Sequence, residues 1–431
     1  MNRSSLAALL GAIGLTVPWL YIWVRSLELA TLPTVFFSGI AVLGAAFLLA
    51  WAAETAERDV PRPFAIAVLA VLAVAPEYSV DALYAWKAGI YAGTARGVEA
   101  GNLAIANMTG ANRILIGIGW AGIALFTVYR HGSQSDPSVE SRAGALRDAV
   151  TVEADLALDI VFLLAATVWA FFVPLFGGID ALDMVVLVGL YVLYIAIVLR
   201  GDIEPEEEHV GVPASLQAQP KWRRITSVLL LFGYSGLMIF TAVEPFAHGL
   251  EALGRSIGVP AFFMIQWIAP LASESPELIV VVYLVNKARS TAGFNALISS
   301  KFNQWTLLIG TLVVVYSIAR GQYAPLPFDP KQAAEIWLTA AQSYFALSIL
   351  VNFEISVREA ITLLVLFLSQ VVLEFLLLQE VLALPITSHG LLIIYTGVYL
   401  LLGTALFVHR RAALHTLFDR ASRTIRTAIS G

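Results

Sequence analysis

Long apolar runs follow one another along the whole chain, separated by short polar connections. Each run is about twenty residues, the length at which a helix crosses a roughly 30 Å hydrocarbon core. The pattern predicts twelve membrane-spanning helices, at approximately 6–24, 30–52, 62–86, 101–128, 154–175, 180–199, 225–247, 259–286, 293–318, 333–353, 357–383 and 387–408. The first follows Arg3 and has no convincing small-residue cleavage site, so it reads as a retained helix rather than a cleaved signal. The longest connections, 129–153 and 200–224, are polar enough to be ordinary loops, and Glu204, Glu206, Glu207 and Glu208 read as a solvated hinge.

Two of the runs contain the same interruption. Pro76-Glu77 lies within LAVAPEYSVDALYAW, and Pro276-Glu277 within WIAPLASESPELIVVVYL. Each is followed by an apolar helix that opens with polar residues, NLAIANMTGANRILIGIGW from Asn102 and NALISSKFNQWTLLIGTL from Asn295. A carboxylate in hydrocarbon costs about 2.5–3.5 kcal/mol on insertion scales, so such a residue marks a function. Proline in the same turn removes a backbone hydrogen bond and leaves a carbonyl free to ligate. The double occurrence predicts an internally duplicated transporter with its site between the repeats.

Aligned on these pairs, the second to sixth spans (30–199) and the seventh to eleventh (225–383) form two sets of five. Five is odd, so the second set starts on the opposite side of the membrane and the duplication is inverted. The expected architecture is an all-α polytopic membrane protein. An extra N-terminal helix occupies 1–29, the first repeat 30–199, a cytoplasmic linker 200–224 and the second repeat 225–383. An extra helix and a basic tail fill 384–431.

Composition excludes a soluble protein. Apolar residues make up 59% of the chain and charged ones 13%, against about a quarter charged in soluble domains. The absence of cysteine excludes disulfides, thiolate metal sites and cysteine redox chemistry. The placement of charge says more than the net −5. Of 26 lysines and arginines, eighteen fall in segments on the same face of the membrane as the N-terminus and six on the opposite face. The last two, Arg113 and Lys301, lie within spans. By the positive-inside rule both termini are cytoplasmic, in a cell (inner) membrane. After Val408, Leu414, Leu417, Phe418 and Ile425 alternate with arginines, which predicts an amphipathic segment lying on the anionic inner leaflet.

The paired motifs resemble those of the cation/calcium exchanger superfamily, which includes the sodium/calcium exchangers. Ala73-Val74-Ala75-Pro76-Glu77 and Ser273-Glu274-Ser275-Pro276-Glu277 are similar to its Thr-Ser-x-Pro-Glu signature. Ala106-Asn107-Met108-Thr109-Gly110-Ala111-Asn112 is similar to its Gly-Asn-x-x-Gly-Ser-Asn signature, from which Ser299-Ser300-Lys301-Phe302-Asn303-Gln304-Trp305 departs. The resemblance covers 30–383 in architecture and four helices in motif. It implies a secondary antiporter exchanging calcium or sodium for sodium or protons by alternating access, in which helices 30–52 and 225–247 slide past the site-bearing bundle. It implies Glu77 and Glu277 as the principal cation ligands, with Asn107 and Ser300 at matching positions of the partner helices. Calcium takes six to eight oxygens including carboxylates, and sodium accepts carbonyls freed at broken helices, so the chemistry agrees. No cofactor is expected beyond the transported Ca2+, Na+ or H+. ATP is excluded by the lack of a Gly-x-x-x-x-Gly-Lys-Ser/Thr loop. The partners implied are small inorganic cations and the bilayer, with no nucleic acid and no protein partner.

The departures bear on the substrate. Ala73 and Val74 lack side-chain oxygens, Ser273 keeps a hydroxyl, and Glu274 stands where the signature has serine. Asp81 follows Glu77 by four residues, hence on the same helical face, while Val281 holds the equivalent place after Glu277. The candidate site therefore has four carboxylates, Glu77, Asp81, Glu274 and Glu277, and two bases, Lys301 and Arg113. Lys301, together with Arg113, is expected to pair with a carboxylate and take the place of one bound ion. That expectation opens the alternative of a diverged exchanger-fold transporter moving something other than calcium. Asn107, Asn112 and Asn303 fit either the site or inter-helix hydrogen bonding.

Glu374, four residues after Gln370, is a candidate for a second pathway. Asp155, Asp159, Glu244, His248 and His389 read as interface residues. An intramembrane enzyme is excluded by the lack of a His-Glu-x-x-His site and of a histidine at depth to activate Ser273 or Ser275. A channel would also fit buried charges, but inverted repeats favour alternating access.

Overall fold

The computed structural model describes residues 3–59, 74–132, 136–144, 146–200, 210–382 and 385–430. The opening of the third predicted span with Ala73, and Glu204, Glu206, Glu207 and Glu208 of the linker, lie outside the described residues. The described chain is helical apart from a few two- and three-residue strands, and ten of its helices are long and apolar enough to cross a membrane. The chain divides into two compact units, Met1–Tyr84 with Ile203–Pro276, and Ala85–Asp202 with Glu277–Gly431.

The first unit is built on α1 (Arg3–Val24), α2 (Thr31–Ala56) and the 36-residue α8 (Lys221–Ser256). In hydrocarbon, helices associate through close fit rather than through apolar burial, so small residues mark the interface. Along α2 this stripe includes Ala41, Ala45 and Ala52, all fully buried. Gly39 belongs to it: a Cβ there would meet the Phe246 ring of α8 at 2.8 Å. Polar crossings add direction. Trp19 Nε1 donates to Thr241 Oγ1 at 3.3 Å, and the Thr16 and Tyr234 hydroxyls lie 2.5 Å apart. At one end Arg224 makes two hydrogen bonds to Asp59, at 2.5 and 2.6 Å. Those bonds hold the Asp59 carboxyl below the usual carboxylate range. The linker expected to be a loop is largely helical over its described residues. Residues Gly211–Gln217 form α7, which buries Val212 and Leu216, and α8 begins at Lys221.

The second unit holds α4 (Ala95–His131), α5 (Ala157–Ala170), α6 (Ala181–Arg200), α10 (Ser290–Arg320), α11 (Pro330–Leu350), α12 (Val357–Leu378), α13 (Ser388–His409) and α14 (Arg411–Ser430). Helices α3 (Ala75–Ile90) and α9 (Ala261–Val285) carry the Pro-Glu pairs, and the division between the units falls within each of them. Two small sheets tie the ends of the second unit. At one end β1 (Val139–Glu140), β2 (Ala149–Thr151) and β5 (Glu354–Ser356) pair in antiparallel fashion; at the other, β3 (Gly178–Ile179) pairs with β4 (Leu326–Pro327). The connection 129–153, expected to be an ordinary loop, thus contributes two strands. Helix α5 runs from the first sheet to the second and α11 from the second back to the first, so these two packed helices are antiparallel.

Gly101 shows how closely the second sheet sits on α4. A Cβ at this position would lie 2.4 Å from the Pro327 carbonyl oxygen. The next residue, Asn102, exchanges two hydrogen bonds with Asp329, the N-cap of α11, at 2.8 and 2.9 Å. Gly101→Val is expected to lower unfolding stability by about 1–3 kcal/mol through overpacking against backbone. Thermal unfolding in detergent would show it as a reduced midpoint, and an unchanged midpoint would rule out this close fit.

The C-terminal tail departs from expectation. Helix α14 is amphipathic, but Leu417, Ala421 and Ala428 on its apolar face are buried at 0%, 2% and 2% exposure. They pack on the chain itself, where α14 meets α5 and α6, rather than on lipid. The end of α13 is pinned nearby by Arg410, which binds Glu359 at 2.6 Å and the Ile349 carbonyl at 2.6 Å.

Candidate cation site

On α3, Glu77 and Asp81 are 2% and 0% exposed and share one face. Helix α9 continues through Pro270 and Pro276. Neither proline has an N–H, so the carbonyls of Gln266 and Ala272 lose their usual helical donors. Ser273 Oγ donates to the Pro270 carbonyl at 3.3 Å, and Ser275 Oγ donates to the Leu271 carbonyl. Both hydroxyls thus bond the preceding turn of their own helix. Glu274 is buried and Glu277 half-buried.

Helix α10 brings its polar residues against α9 and α4. Ser300 Oγ donates to Glu277 Oε2 at 2.8 Å. Lys301 is fully buried, and its Nζ donates to Asn112 Oδ1 at 2.8 Å and to the Asn112 carbonyl at 3.4 Å. The ammonium also lies 4.3 Å from the centroid of the Trp305 ring, within cation–π range. Asn112 Nδ2 donates to the Met108 carbonyl at 2.9 Å, which turns the amide oxygen toward the lysine. Asn107 and Asn303 are buried on the same two helices. Each of these helices contains a π turn just after its polar segment, Leu115–Trp120 in α4 and Gln304–Leu308 in α10. One extra residue in a turn rotates the following helix face, and such turns gather at functional sites.

Arg113 meets a different set of partners from Lys301. Its side chain is buried at 1% exposure, and its guanidinium donates to Glu335 Oε2 at 2.7 Å and to Gln370. Lys331 bridges Glu335 at 2.9 Å and Glu374 at 3.2 Å. Gln370 Nε2 and Ser388 Oγ donate to the two oxygens of Glu374, at 2.8 and 3.2 Å. Arg113, Lys331, Glu335 and Glu374 thus belong to one network of ion pairs and hydrogen bonds joining α4, α11, α12 and α13. Arg113 is thus paired with a carboxylate of α11.

Glu335 and Lys331 escape the sequence reading because an i,i+4 Lys-Glu pair near a helix start looks like an ordinary solvated pair. Asp159, expected near an interface, is buried at 7% exposure and accepts a 2.8 Å hydrogen bond from the Tyr194 hydroxyl. Glu244 and His248 do have exposed side chains, 3.6 Å apart. Among the described residues, no group of three or more His, Asp or Glu side chains has metal-holding geometry.

Apolar spanning helices that carry buried carboxylates beside prolines define a membrane-embedded cation transporter. The chain belongs to the sodium/calcium exchanger protein family, whose profile matches residues 30–200 and 227–376. It is therefore an integral membrane protein of the cation/calcium antiporter kind, not an enzyme, and acts on small inorganic cations. Among solved structures, the crystal structure of the H+/Ca2+ exchanger CAX is 41% identical, with a TM-score of 0.86, covering 98% of this chain and 99% of that one. The Ca2+/H+ antiporter YfkE shares the fold at 14% identity, with a TM-score of 0.56, covering 87% of this chain and 100% of that one. No curated protein matches the chain in sequence.

Proposed function

We propose that this protein exchanges calcium for protons across the membrane by alternating access, with Glu77 and Glu277 as the principal cation ligands. The observation that carries this reading is the burial of Glu77, Asp81 and Glu274 at 2%, 0% and 3% exposure on the two proline-containing helices. Such carboxylates bind a divalent cation when ionised and take up protons when it leaves. Cation and proton therefore compete for the same oxygens, which is the coupling an antiporter needs. The 41% identity over nearly the full length to an H+/Ca2+ exchanger supports protons over sodium. Ser300, Ser273, Asn107 and Asn303 supply further oxygens. The layout that accompanies this reading is twelve spans arranged as inverted repeats, 30–199 and 225–383, with an extra helix at each end. The antiparallel α5 and α11, the fourth spans of the two sets, support it. Both termini are cytoplasmic in the proposed orientation, and the long α2–α8 pair is the sliding element.

The test is counter-transport in proteoliposomes, with labelled calcium outside and either a pH gradient or a sodium gradient imposed. Uptake driven by the pH gradient alone is the expected result. Uptake driven only by sodium would make it a sodium/calcium exchanger, and no calcium flux under either gradient would remove the calcium assignment.

One observation favours a second reading, a diverged transporter of a different cation. The Lys301 ammonium is fully buried on Asn112 Oδ1, beside the Ser300–Glu277 contact. A tethered positive charge there would replace one bound ion. Lys301→Ala is then expected to change the number of charges moved per cation and to shift the pH dependence of transport. If reversal potentials and pH profiles match the unmutated protein, Lys301 is only a structural donor.

A further inference from the structure

We propose that a crevice between α5, α6 and the C-terminal helix α14 is a binding site for an anionic phospholipid. Its acyl chain would enter the crevice and its phosphate would pair with Arg200. The crevice has a volume of about 250 Å³ and is lined by Phe162 of α5, Leu193, Ala196 and Ile197 of α6, and Ile425 and Ala428 of α14. Among the described residues, Arg200, the last residue of α6, is the single charged group in its lining.

Three features select this occupant. The first is the lining, which offers hydrocarbon no polar partner apart from one guanidinium. A volume below the roughly 300–1,000 Å³ of pockets that enclose whole small ligands suits a chain segment rather than a complete molecule. The second is where the crevice opens. Leu193 is 53% exposed and its neighbour Val192 58%, on a helix that spans the membrane, so the mouth faces lipid. Phe162, at 6% exposure, closes the inner side.

The third feature is charge. Helix α14 exposes Arg411, Arg420, Arg423 and Arg426 and carries one acid, Asp419. Arg426 follows Ile425 directly, so the guanidinium at the end of α6 and the basic face of α14 belong to the same end of the unit. Basic residues at a membrane surface attract anionic lipid, and arginine presents a planar fork that matches phosphate oxygens. A neutral lipid would fill the apolar crevice but leave this charge unmatched. The burial of Leu417, Ala421 and Ala428 keeps α14 on the protein, so the helix acts as one wall of the site rather than as a free membrane anchor.

Native mass spectrometry of the full-length protein, delipidated and then mixed with dioleoyl phosphatidylglycerol or dioleoyl phosphatidylcholine in detergent, tests this directly. Phosphatidylglycerol adducts are expected at roughly tenfold or more over phosphatidylcholine, the ratio that corresponds to 1.4 kcal/mol. Two variants separate the site from general surface attraction: Ala196→Trp fills the crevice without touching the charge, and Arg200→Gln removes the charge without filling it. Both are expected to lose the preference, while circular dichroism and melting in neutral detergent stay unchanged. Arg411→Gln, away from the crevice, is expected to retain it. Equal adducts of the two lipids would overturn the proposal. So would an Ala196→Trp or Arg200→Gln protein that keeps the preference, because the arginines of α14 alone would then account for it.

Discussion

Glu77→Gln and Glu277→Gln are each expected to reduce pH-gradient-driven calcium uptake to the level of protein-free liposomes. Glutamine keeps the volume of the side chain and removes its charge. Calcium sites are tuned over several orders of magnitude by the number of charged ligands, so losing one carboxylate lowers apparent affinity on the order of a hundredfold or more. Glutamine also carries no exchangeable proton in this pH range, so proton release on calcium binding disappears with it. The fold is expected to survive. At Glu77, 2% exposed, the substitution takes a charge out of a low-dielectric environment, which leaves the melting temperature unchanged or raises it. At Glu277 the remaining amide oxygen still accepts from Ser300 Oγ, now 2.8 Å from the carboxylate. A folded Glu77→Gln protein that transports calcium normally would remove Glu77 from the ligand set, and the same holds separately for Glu277.

Arg113→Ala is expected to have the largest effect on stability, a loss of about 3–5 kcal/mol. The side chains of Arg113 and Glu335 are 2% and 0% exposed and meet at 2.7 Å. Removing the guanidinium leaves the buried Glu335 carboxylate without this partner, beside a Lys331 that it shares with Glu374. Thermal unfolding in detergent would show a lower midpoint, with a comparable drop for Glu335→Ala. The double substitution Arg113→Met with Glu335→Leu is expected to recover much of the loss, because replacing a buried ion pair by apolar groups is far less costly than breaking it. An Arg113→Ala protein that melts with the unmutated one would mean that the network contributes little to the hold of α4 on α11 and α12.

The two expectations differ in kind, and so does their legibility in the sequence. Spanning helices can be read from composition because the bilayer imposes a length and requires backbone hydrogen bonds to be met within each segment. The predicted 180–199 and 387–408 accordingly sit within a residue of Ala181–Arg200 and Ser388–His409. The prediction for the seventh span, 225–247, was too short. Lys221–Ser256 runs for 36 residues, about ten turns, as one element, since basic and acidic residues at the ends are tolerated outside hydrocarbon. Family membership was also legible. A proline beside a carboxylate in an apolar run is chemically expensive, and its double occurrence has few physical explanations.

The destinations of the buried bases were not legible. Arg113 and Lys301 look alike in sequence, each a cation just after a polar segment in an apolar helix. The fold sends Arg113 to Glu335 and Gln370, and Lys301 to Asn112. Helical periodicity gives the face of its own helix on which a side chain stands, but not the helix that will lie opposite that face. The same limit explains the tail. Its amphipathic pattern was plain, yet whether lipid or protein covers the apolar face depends on a surface formed by α5 and α6, far away in the chain. The sequence by itself thus determined the membrane-spanning class, the approximate helices and the paired Pro-Glu motifs that mark the family, because these follow from local length, charge and hydrogen-bonding requirements. Only the tertiary structure decided which buried charges neutralise each other and what the terminal helix packs on, because those depend on contacts between segments more than a hundred residues apart.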